Sequence, residues 1–401
     1  MTTWDSVALG DLCSLITDGK HGDCTDEQDS GYYFVSAKDV RDGHIYYKNA
    51  RQIREADFAE THRRTDLRAG DVLITNSGTI GRLAVASNDD VTSKTTFQKS
   101  VAILKPHIDR VTSRFLYYSL AANAEVLTNA AGGAAQKNLL LGDLRRIAIP
   151  VPKLIIQYQI ANFLSTYDDL IENNRRRMAL LEDSARFLYR EWFVRLRFPG
   201  YEHTPIVDGV PQGWERKTLG EVARINQTSL GGTFDGEIEY IDIASVSPNS
   251  INETTRHQFR DAPGRARRVV RHGDIIWSCV RPNRRSHAVI WQPSENLIAS
   301  TGFVVISPVS LPASFFYQTV TTDLFVGYLE THAKGAAYPA VVAGDFERTD
   351  LLVPPSALLT AFNEFAEPLL SQAHNLRMQN QKLRTARDLL LPRLMSGELA
   401  V

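Results

Sequence analysis

The chain is short of the residues that mark a metal, redox or catalytic protein. Cysteine occurs three times in 401 residues, at Cys13, Cys24 and Cys279, never as Cys-x-x-Cys, which excludes a disulfide framework and a recognisable zinc site. Ten histidines are scattered without His-x-x-x-His or His-Glu-x-x-His spacing, so metal-assisted hydrolysis has no support. No Gly-x-x-x-x-Gly-Lys-Ser/Thr loop and no strand-linked Gly-x-Gly-x-x-Gly occurs, which removes the usual nucleotide and dinucleotide cradles. An Asn/Asp-Pro-Pro-Tyr/Phe segment of the kind that holds a flipped adenine is also missing, so methylation machinery is not expected. The apolar runs, such as Leu139 to Leu141, fall far short of the roughly 20 residues of a membrane span. The start, Met1-Thr2-Thr3-Trp4-Asp5, lacks the basic and apolar regions of a secretory signal, and a cytoplasmic location is expected. Paired carboxylates, Asp89-Asp90 and Asp168-Asp169, read as solvated turn or helix groups.

What the chain does have is a copy of itself. Trp4 with Leu9-Gly10-Asp11 recurs as Trp214 with Leu219-Gly220-Glu221, and Gly70-Asp71-Val72-Leu73 recurs as Gly273-Asp274-Ile275-Ile276. Further on, Pro106, Gly133-Ala134-Ala135 and Gly142-Asp143 each return 202 positions later, as Pro308, Gly335-Ala336-Ala337 and Gly344-Asp345. A period this long is too large for a solenoid unit and fits duplicated domains.

The formal charge of -1 averages over uneven patches. Between Arg256 and Arg285 nine arginines face two aspartates, Asp261 and Asp274, a stretch basic enough for nucleic acid. The first copy carries a looser counterpart in Arg63, Arg64, Arg68, Arg82, Lys94 and Lys99.

Each copy reads as a mixed domain followed by a long helix. Turn-then-strand segments (67–74 and 269–277) and proline-stopped strands (100–106 and 302–308) precede helices expected near Ser113 to Leu127 and Ala313 to Glu330. From Ile155 to about Phe193 neither proline nor glycine occurs. Ile160, Tyr167, Asn174, Leu181 and Leu188 repeat every seven residues beside Leu164, Ile171, Met178, Ala185 and Trp192, the pattern of a coiled-coil seam. Adding 202 to the first stripe gives Phe362, Leu369, Leu376, Leu383 and Leu390. Pro368 predicts a kink or a helix start, and Asn174 is expected to set register. Two such helices can pair antiparallel. At 1.5 Å per residue, roughly 40 residues span about 60 Å, a ruler along DNA that one added heptad per helix would lengthen.

Two such regions alternating with two long helices resemble the specificity subunit of type I restriction-modification enzymes. The resemblance rests on Ser77-Gly78-Thr79-Ile80-Gly81 after the Gly-Asp strand, the loop from Gly132 to Leu139, and Pro150-Val151-Pro152 before the helix. Val280-Arg281-Pro282-Asn283, Ser300-Thr301-Gly302-Phe303 and Pro211-Gln212-Gly213-Trp214 carry it in the second copy. It implies an α+β chain: two mixed α/β target recognition domains separated by two long helices forming an antiparallel coiled coil, with a pseudo-two-fold internal repeat. The boundaries expected are 1–152 and 198–352 for the recognition domains, and 153–197 and 353–401 for the helices.

The resemblance further implies a non-catalytic subunit that reads a bipartite, asymmetric site in double-stranded DNA. Two methyltransferase and two restriction subunits would be partners, with S-adenosylmethionine, ATP and Mg on those partners and no cofactor on this chain. Half-sites about 10 bp apart would leave roughly six unread pairs. Lysine and arginine set salt-dependent affinity, while arginine, asparagine and glutamine discriminate bases. The DNA-binding candidates are Thr79, Arg82, Lys94, Gln98, Lys99, Gln136, Lys137 and Asn138 in the first copy. In the second they are Arg267, Arg268, Arg281, Asn283, Arg284, Arg285, Thr301, Lys334 and Tyr338. Gly78 and Gly81 have no glycine equivalents near Val280 to Arg285, so the copies are expected to read different sequences. Arg175, Arg176, Arg177, Phe187, Tyr189 and Trp192 are candidates for partner docking. The alternative is a coiled-coil scaffold whose basic loops bind nucleic acid without sequence preference.

Overall fold

The structure is a computed structural model and describes residues 4–132 and 137–400. The chain forms two compact units, residues 1–172 with 380–401 and residues 173–379. Each unit holds one copy of the duplicated mixed domain and parts of both long helices.

The duplication is visible in the sheets. In the first unit a four-stranded antiparallel sheet runs Cys13–Asp18, Val101–Pro106, Val72–Thr75, Leu83–Val85. In the second, Ala223–Ile225, Phe303–Pro308, Ile275–Ser278 and His287–Val289 take the same order. Strands Val101–Pro106 and Phe303–Pro308 are apolar over their first four residues because both faces are covered there. Along Val101–Pro106, Ala102 and Leu104 pack into one core and Val101 and Ile103 into another. Phe303–Pro308 divides the same way, with Val304 and Ile306 on one side and Phe303 and Val305 on the other. Alternation of side chains along a strand makes this division automatic.

The recurring Gly-Asp pair is a turn. Asp71 Oδ2 accepts the Arg68 N–H at 2.7 Å, and Asp274 Oδ2 accepts the Arg271 N–H at 2.7 Å. Burial pushes both carboxyls up from their ordinary range; Lys105 Nζ, 2.6 Å from Asp71, opposes this in the first unit.

A second sheet in each unit contains a parallel pair, Tyr33–Val35 with Thr95–Phe97 and Glu237–Ile241 with Leu297–Ser300. The units part beyond its edge. After Arg51–Gln52 the first unit forms helix Glu55–Thr65, with Glu55 and Asp57 at its positive end and Phe58, Thr61 and Thr65 buried. After Thr255–Gln258 the second meets Asp261-Ala262-Pro263-Gly264, which cannot continue a helix, and adds the strand Ala266–Val269 instead.

The helices expected near Ser113 and Ala313 are each split in two, Ser113–Ala122 with Ala124–Ala130, and Ala313–Thr319 with Asp323–His332. Local caps cause the breaks. Asn123 Nδ2 donates to the Ser119 carbonyl at 2.7 Å, and Thr322 Oγ1 accepts the Phe325 N–H at 3.2 Å.

The central long helix runs Leu154–Tyr189 and continues as a π-helical turn, Arg190–Val194; the C-terminal one runs Ser356–Met395. Every residue of the two expected stripes, and of the stripe 202 positions on, is buried or half-buried. Within each unit the helices run antiparallel. In the first unit Asn380 Nδ2 donates to the Ile171 carbonyl at 3.1 Å, and Arg387 Nη1 lies 2.5 Å from Asp168 Oδ1. In the second, Arg377 Nη2 lies 2.9 Å from Glu182 Oε1, and Phe362 packs on Tyr189 and Phe193. Asn174 is buried in the seam. Pro368 does not start the C-terminal helix, which begins at Ser356 and passes through it. The missing N–H falls on an exposed face, while Phe362, Ala366 and Leu370 stay buried and hold the flanking turns. Asp168 is not a solvated group: Tyr118 Oη donates to it at 2.5 Å beside the Arg387 ion pair. Among the described residues no helix is long and apolar enough to cross a membrane.

Candidate nucleic-acid interface

In each unit the turn after the Gly-Asp strand meets two other loops through the same backbone hydrogen bonds. In the first unit the Asn76 N–H donates to the Ser100 carbonyl at 3.1 Å, and the Leu139 N–H to the Asn76 carbonyl at 2.8 Å. In the second, the Cys279 N–H donates to the Gly302 carbonyl at 2.9 Å, and the Val341 N–H to the Cys279 carbonyl at 2.9 Å. Ser77 bridges to Asn138 as Val280 bridges to Ala340. Three segments far apart in sequence thus share one surface, twice.

Around that frame the first unit brings together Thr79, Arg82, Gln98, Lys99 and Asn138. Thr79, Lys99, Lys137 and Asn138 are exposed, while Arg82 and Gln98 are half-buried. Arg82 is braced by Nη1 donating to the Ala37 carbonyl at 3.3 Å, and the Ala37 N–H donates to Ser100 Oγ at 3.3 Å, which draws the segment at 36–37 into the group. Gln136 lies outside the described residues. Lys94 is exposed at the opposite end of strand Thr95–Phe97 from Gln98, roughly 13 Å along an extended chain. Lys20, which bridges to Gln98, is already paired with Glu60 at 2.9 Å, and Arg68, at the opposite end of strand Val72–Thr75, with Asp66 at 2.7 Å.

The second unit gathers Arg281, Asn283, Arg284, Arg285, Thr301, Lys334 and Tyr338. The Thr301 N–H donates to the Arg265 carbonyl at 2.8 Å, and Lys334 and Ala340 exchange backbone hydrogen bonds at 2.9 Å. Arg281 Nη2 donates to the Ala337 carbonyl at 3.2 Å, and its guanidinium carbon sits 4.6 Å above the Tyr338 ring, which is 69% exposed. Arg285 is ion-paired with Asp323. Burial pushes the Cys279 thiol up to about 11, so it stays protonated inside the frame.

The arginine-rich stretch is not one patch. Arg256 lies on strand Thr255–Gln258 and Arg267 and Arg268 on Ala266–Val269, opposite edges of the four-stranded sheet. Arg267 covers the Phe259 ring at 4.4 Å, and Arg268 Nη1 donates to Ser229 Oγ at 3.1 Å. Asp323 and the Ala337 carbonyl complete the arginine loop and carried no sequence signal, since each acts only through a fold-made contact. Of the docking candidates, Tyr189 is core, its hydroxyl donating to Thr319 Oγ1 at 3.1 Å, and Trp192 is half-buried against Phe193 and Phe362. Phe187 remains 55% exposed. No group of three or more His, Cys, Asp or Glu that could hold a metal ion occurs among the described residues.

Residues 1–183 match the family model described as the type I restriction modification DNA specificity domain. The specificity subunit of the type I restriction enzyme MjaIX from Methanocaldococcus jannaschii is 25% identical over 390 residues, covering 92% of this chain and 87% of that one. Over most of its length the chain is thus similar to specificity subunits of type I restriction enzymes. The specificity subunit of EcoBI from Escherichia coli is 27% identical over 153 residues, 37% of this chain and 31% of that one. The fold itself is shared with the crystal structure of the S subunit of a type I restriction-modification system from M. genitalium, at a TM-score of 0.57 and 18% identity over 98% of this chain and 96% of that one.

Proposed function

We propose that this chain is a non-catalytic specificity subunit that reads a bipartite, asymmetric DNA site, one half-site per unit, and that methylation and cleavage are supplied by partners. The supporting observation is the pair of equivalent loop frames bearing unlike side chains: Thr79, Gln98 and Asn138 in one, Arg281, Asn283 and Arg284 in the other. An unchanged frame with changed chemistry is what two different half-sites require, because base edges are discriminated by donor and acceptor pattern. Lys94, Lys99, Lys137, Arg267, Arg268 and Lys334 supply phosphate affinity in this reading.

A duplicated chain presents two similar surfaces, so two copies of one methyltransferase subunit can dock, followed by two restriction subunits. S-adenosylmethionine, ATP and Mg belong to those partners. Exposed Phe187, Arg176 and Arg177 are the docking residues of the central helix that the fold leaves at the surface. The test is selection from a random duplex library with the chain in complex with its methyltransferase. Enrichment of two short motifs separated by a constant unread spacer is expected; equal recovery of all duplexes would replace this reading with that of a sequence-independent scaffold.

A further inference from the structure

The turn between strands Ile275–Ser278 and His287–Val289 is one residue longer than its counterpart in the first unit, yet counted from each strand it places left-handed backbone at corresponding positions, on different residues. In the first unit the left-handed positions are Gly78 (φ 79°) and Gly81 (φ 84°). In the second, the left-handed positions are Arg281 (φ 51°) and Arg285 (φ 52°). The hydrogen bonds align them: the Thr75 N–H donates to the Arg82 carbonyl at 2.9 Å, as the Ser278 N–H donates to the Ser286 carbonyl at 2.9 Å. A side chain in this region is disfavoured, so arginine in place of glycine twice in one turn is strain the surroundings must hold.

They do hold it, by tying both arginines to neighbouring groups at the surface. Arg281 is fixed through its N–H to the Pro339 carbonyl at 2.7 Å, its Nη2 to the Ala337 carbonyl and its stacking on Tyr338. Arg285 is fixed through its N–H to the Pro282 carbonyl at 2.9 Å and its ion pair with Asp323. Between them Pro282 is buried, and the Arg284 N–H donates to the Arg281 carbonyl at 2.9 Å. The apex residues Asn283 and Arg284 are exposed, on a base clamped at both ends.

Resting on the half-site reading above, we propose that Arg284 is the base-reading residue of the second unit and recognises a guanine in the major groove, while Arg281 and Arg285 are positioning residues. A guanidinium offers two parallel N–H donors to O6 and N7 of guanine, the commonest specific contact of arginine with DNA. Rigid presentation is what makes such a contact selective, because a mobile arginine settles on phosphates instead. Arg281 and Arg285 have their guanidinium groups engaged within the protein and act through the loop they hold.

The experiment is base-preference profiling of the chain in complex with its methyltransferase on a random duplex library, with thermal unfolding as a folding control. For Arg284→Ala, a guanine preference of about 5- to 150-fold is lost at one position of one half-site while the other half-site is unchanged. Arg284→Lys keeps most of the affinity but not that preference, since an ammonium is a point charge. Arg281→Gly restores the residue the turn geometry favours, so folding is preserved, and it weakens the same preference by a smaller factor. The proposal is overturned if Arg284→Ala leaves every positional preference intact, or lowers affinity alike for all sequences as loss of a phosphate contact would. If the unmutated complex shows no sequence preference at all, the half-site reading falls and takes this assignment with it.

Discussion

The two units build one frame and fill it with different side chains, and the core shows this as clearly as the loops. Where strand Val72–Thr75 opposes Leu83–Val85, Ile74 faces Leu83; where Ile275–Ser278 opposes His287–Val289, Trp277 faces His287. Trp277 is fully buried with its Nε1–H donating to the Val320 carbonyl at 3.0 Å, and His287 lies against its ring at 5.1 Å. Burial, with Arg285 and Arg186 nearby, pushes the His287 imidazole down to about 3. An aliphatic pair is indifferent to pH and an aromatic–imidazole pair is not. Backbone hydrogen bonds therefore carry the duplication, while side chains were free to diverge wherever volume and polarity could be balanced locally.

Mutation should expose that difference most strongly at the tryptophan. Trp277→Ala is expected to cost about 3–5 kcal/mol and to leave the Val320 carbonyl without its donor, whereas Ile74→Ala costs about 2–5 kcal/mol through its cavity alone. Hydrogen exchange resolved by segment should show each loss confined to its own unit; protection lost equally in both would mean that they unfold as one.

The pH dependence comes next in size. Between about 6.5 and about 3 the unfolded chain binds a proton at His287 that the folded chain refuses, so this contribution is complete above the unfolded value and is lost as pH falls. It amounts to roughly 5 kcal/mol over the whole window. Strand Ile275–Ser278 should lose exchange protection between pH 7 and pH 4 ahead of Val72–Thr75, and His287→Leu, the first unit's residue, should flatten the difference. An unaltered pH profile in that variant would assign the acid sensitivity to other groups.

A smaller and more symmetrical effect is expected at the helix pairing. Asp168 joins Arg387 and Tyr118 in the first unit, and Glu182 joins Arg377 and Asn249 in the second. Asp168→Asn and Glu182→Gln should each cost about 1–3 kcal/mol by denaturant unfolding; a large disparity would show that only one pairing supports its unit. The smallest effect belongs to the turn. A Cβ on Gly78 or Gly81 meets nothing within 4 Å, so Gly78→Ala and Gly81→Ala should cost only the backbone penalty of about 1–2 kcal/mol each. Arg281→Gly should gain less than that, because it also gives up the Tyr338 contact, worth about 0.5–1 kcal/mol. Melting temperatures of the three variants test the sign.

Much of the architecture was legible because periodicity is a local property. The seven-residue stripes named the buried face of both long helices, and the Gly-Asp pairs named two turns that recur with the same hydrogen bond. Pro368 misled as a possible helix start, because one missing N–H on an exposed face weighs less than the buried turns beside it. Tyr189 and Trp192 looked like surface for a partner, yet they complete the core around Phe362 and Phe315. Composition names a residue's taste for interfaces and is silent on which interface.

The amino-acid sequence alone determined the duplication, the mixed fold class and the helix seams, since each is written in spacing and order along one chain. Only the tertiary structure decided which basic residues stand together. It sent Arg256 and Arg267 to opposite sheet edges, tied Arg285 to Asp323 and Arg281 to the loop at 337–339, and left Arg284 outward. Charge is counted along the sequence, but whether a charge is paired depends on groups brought beside it from dozens of residues away, and folding alone makes that choice.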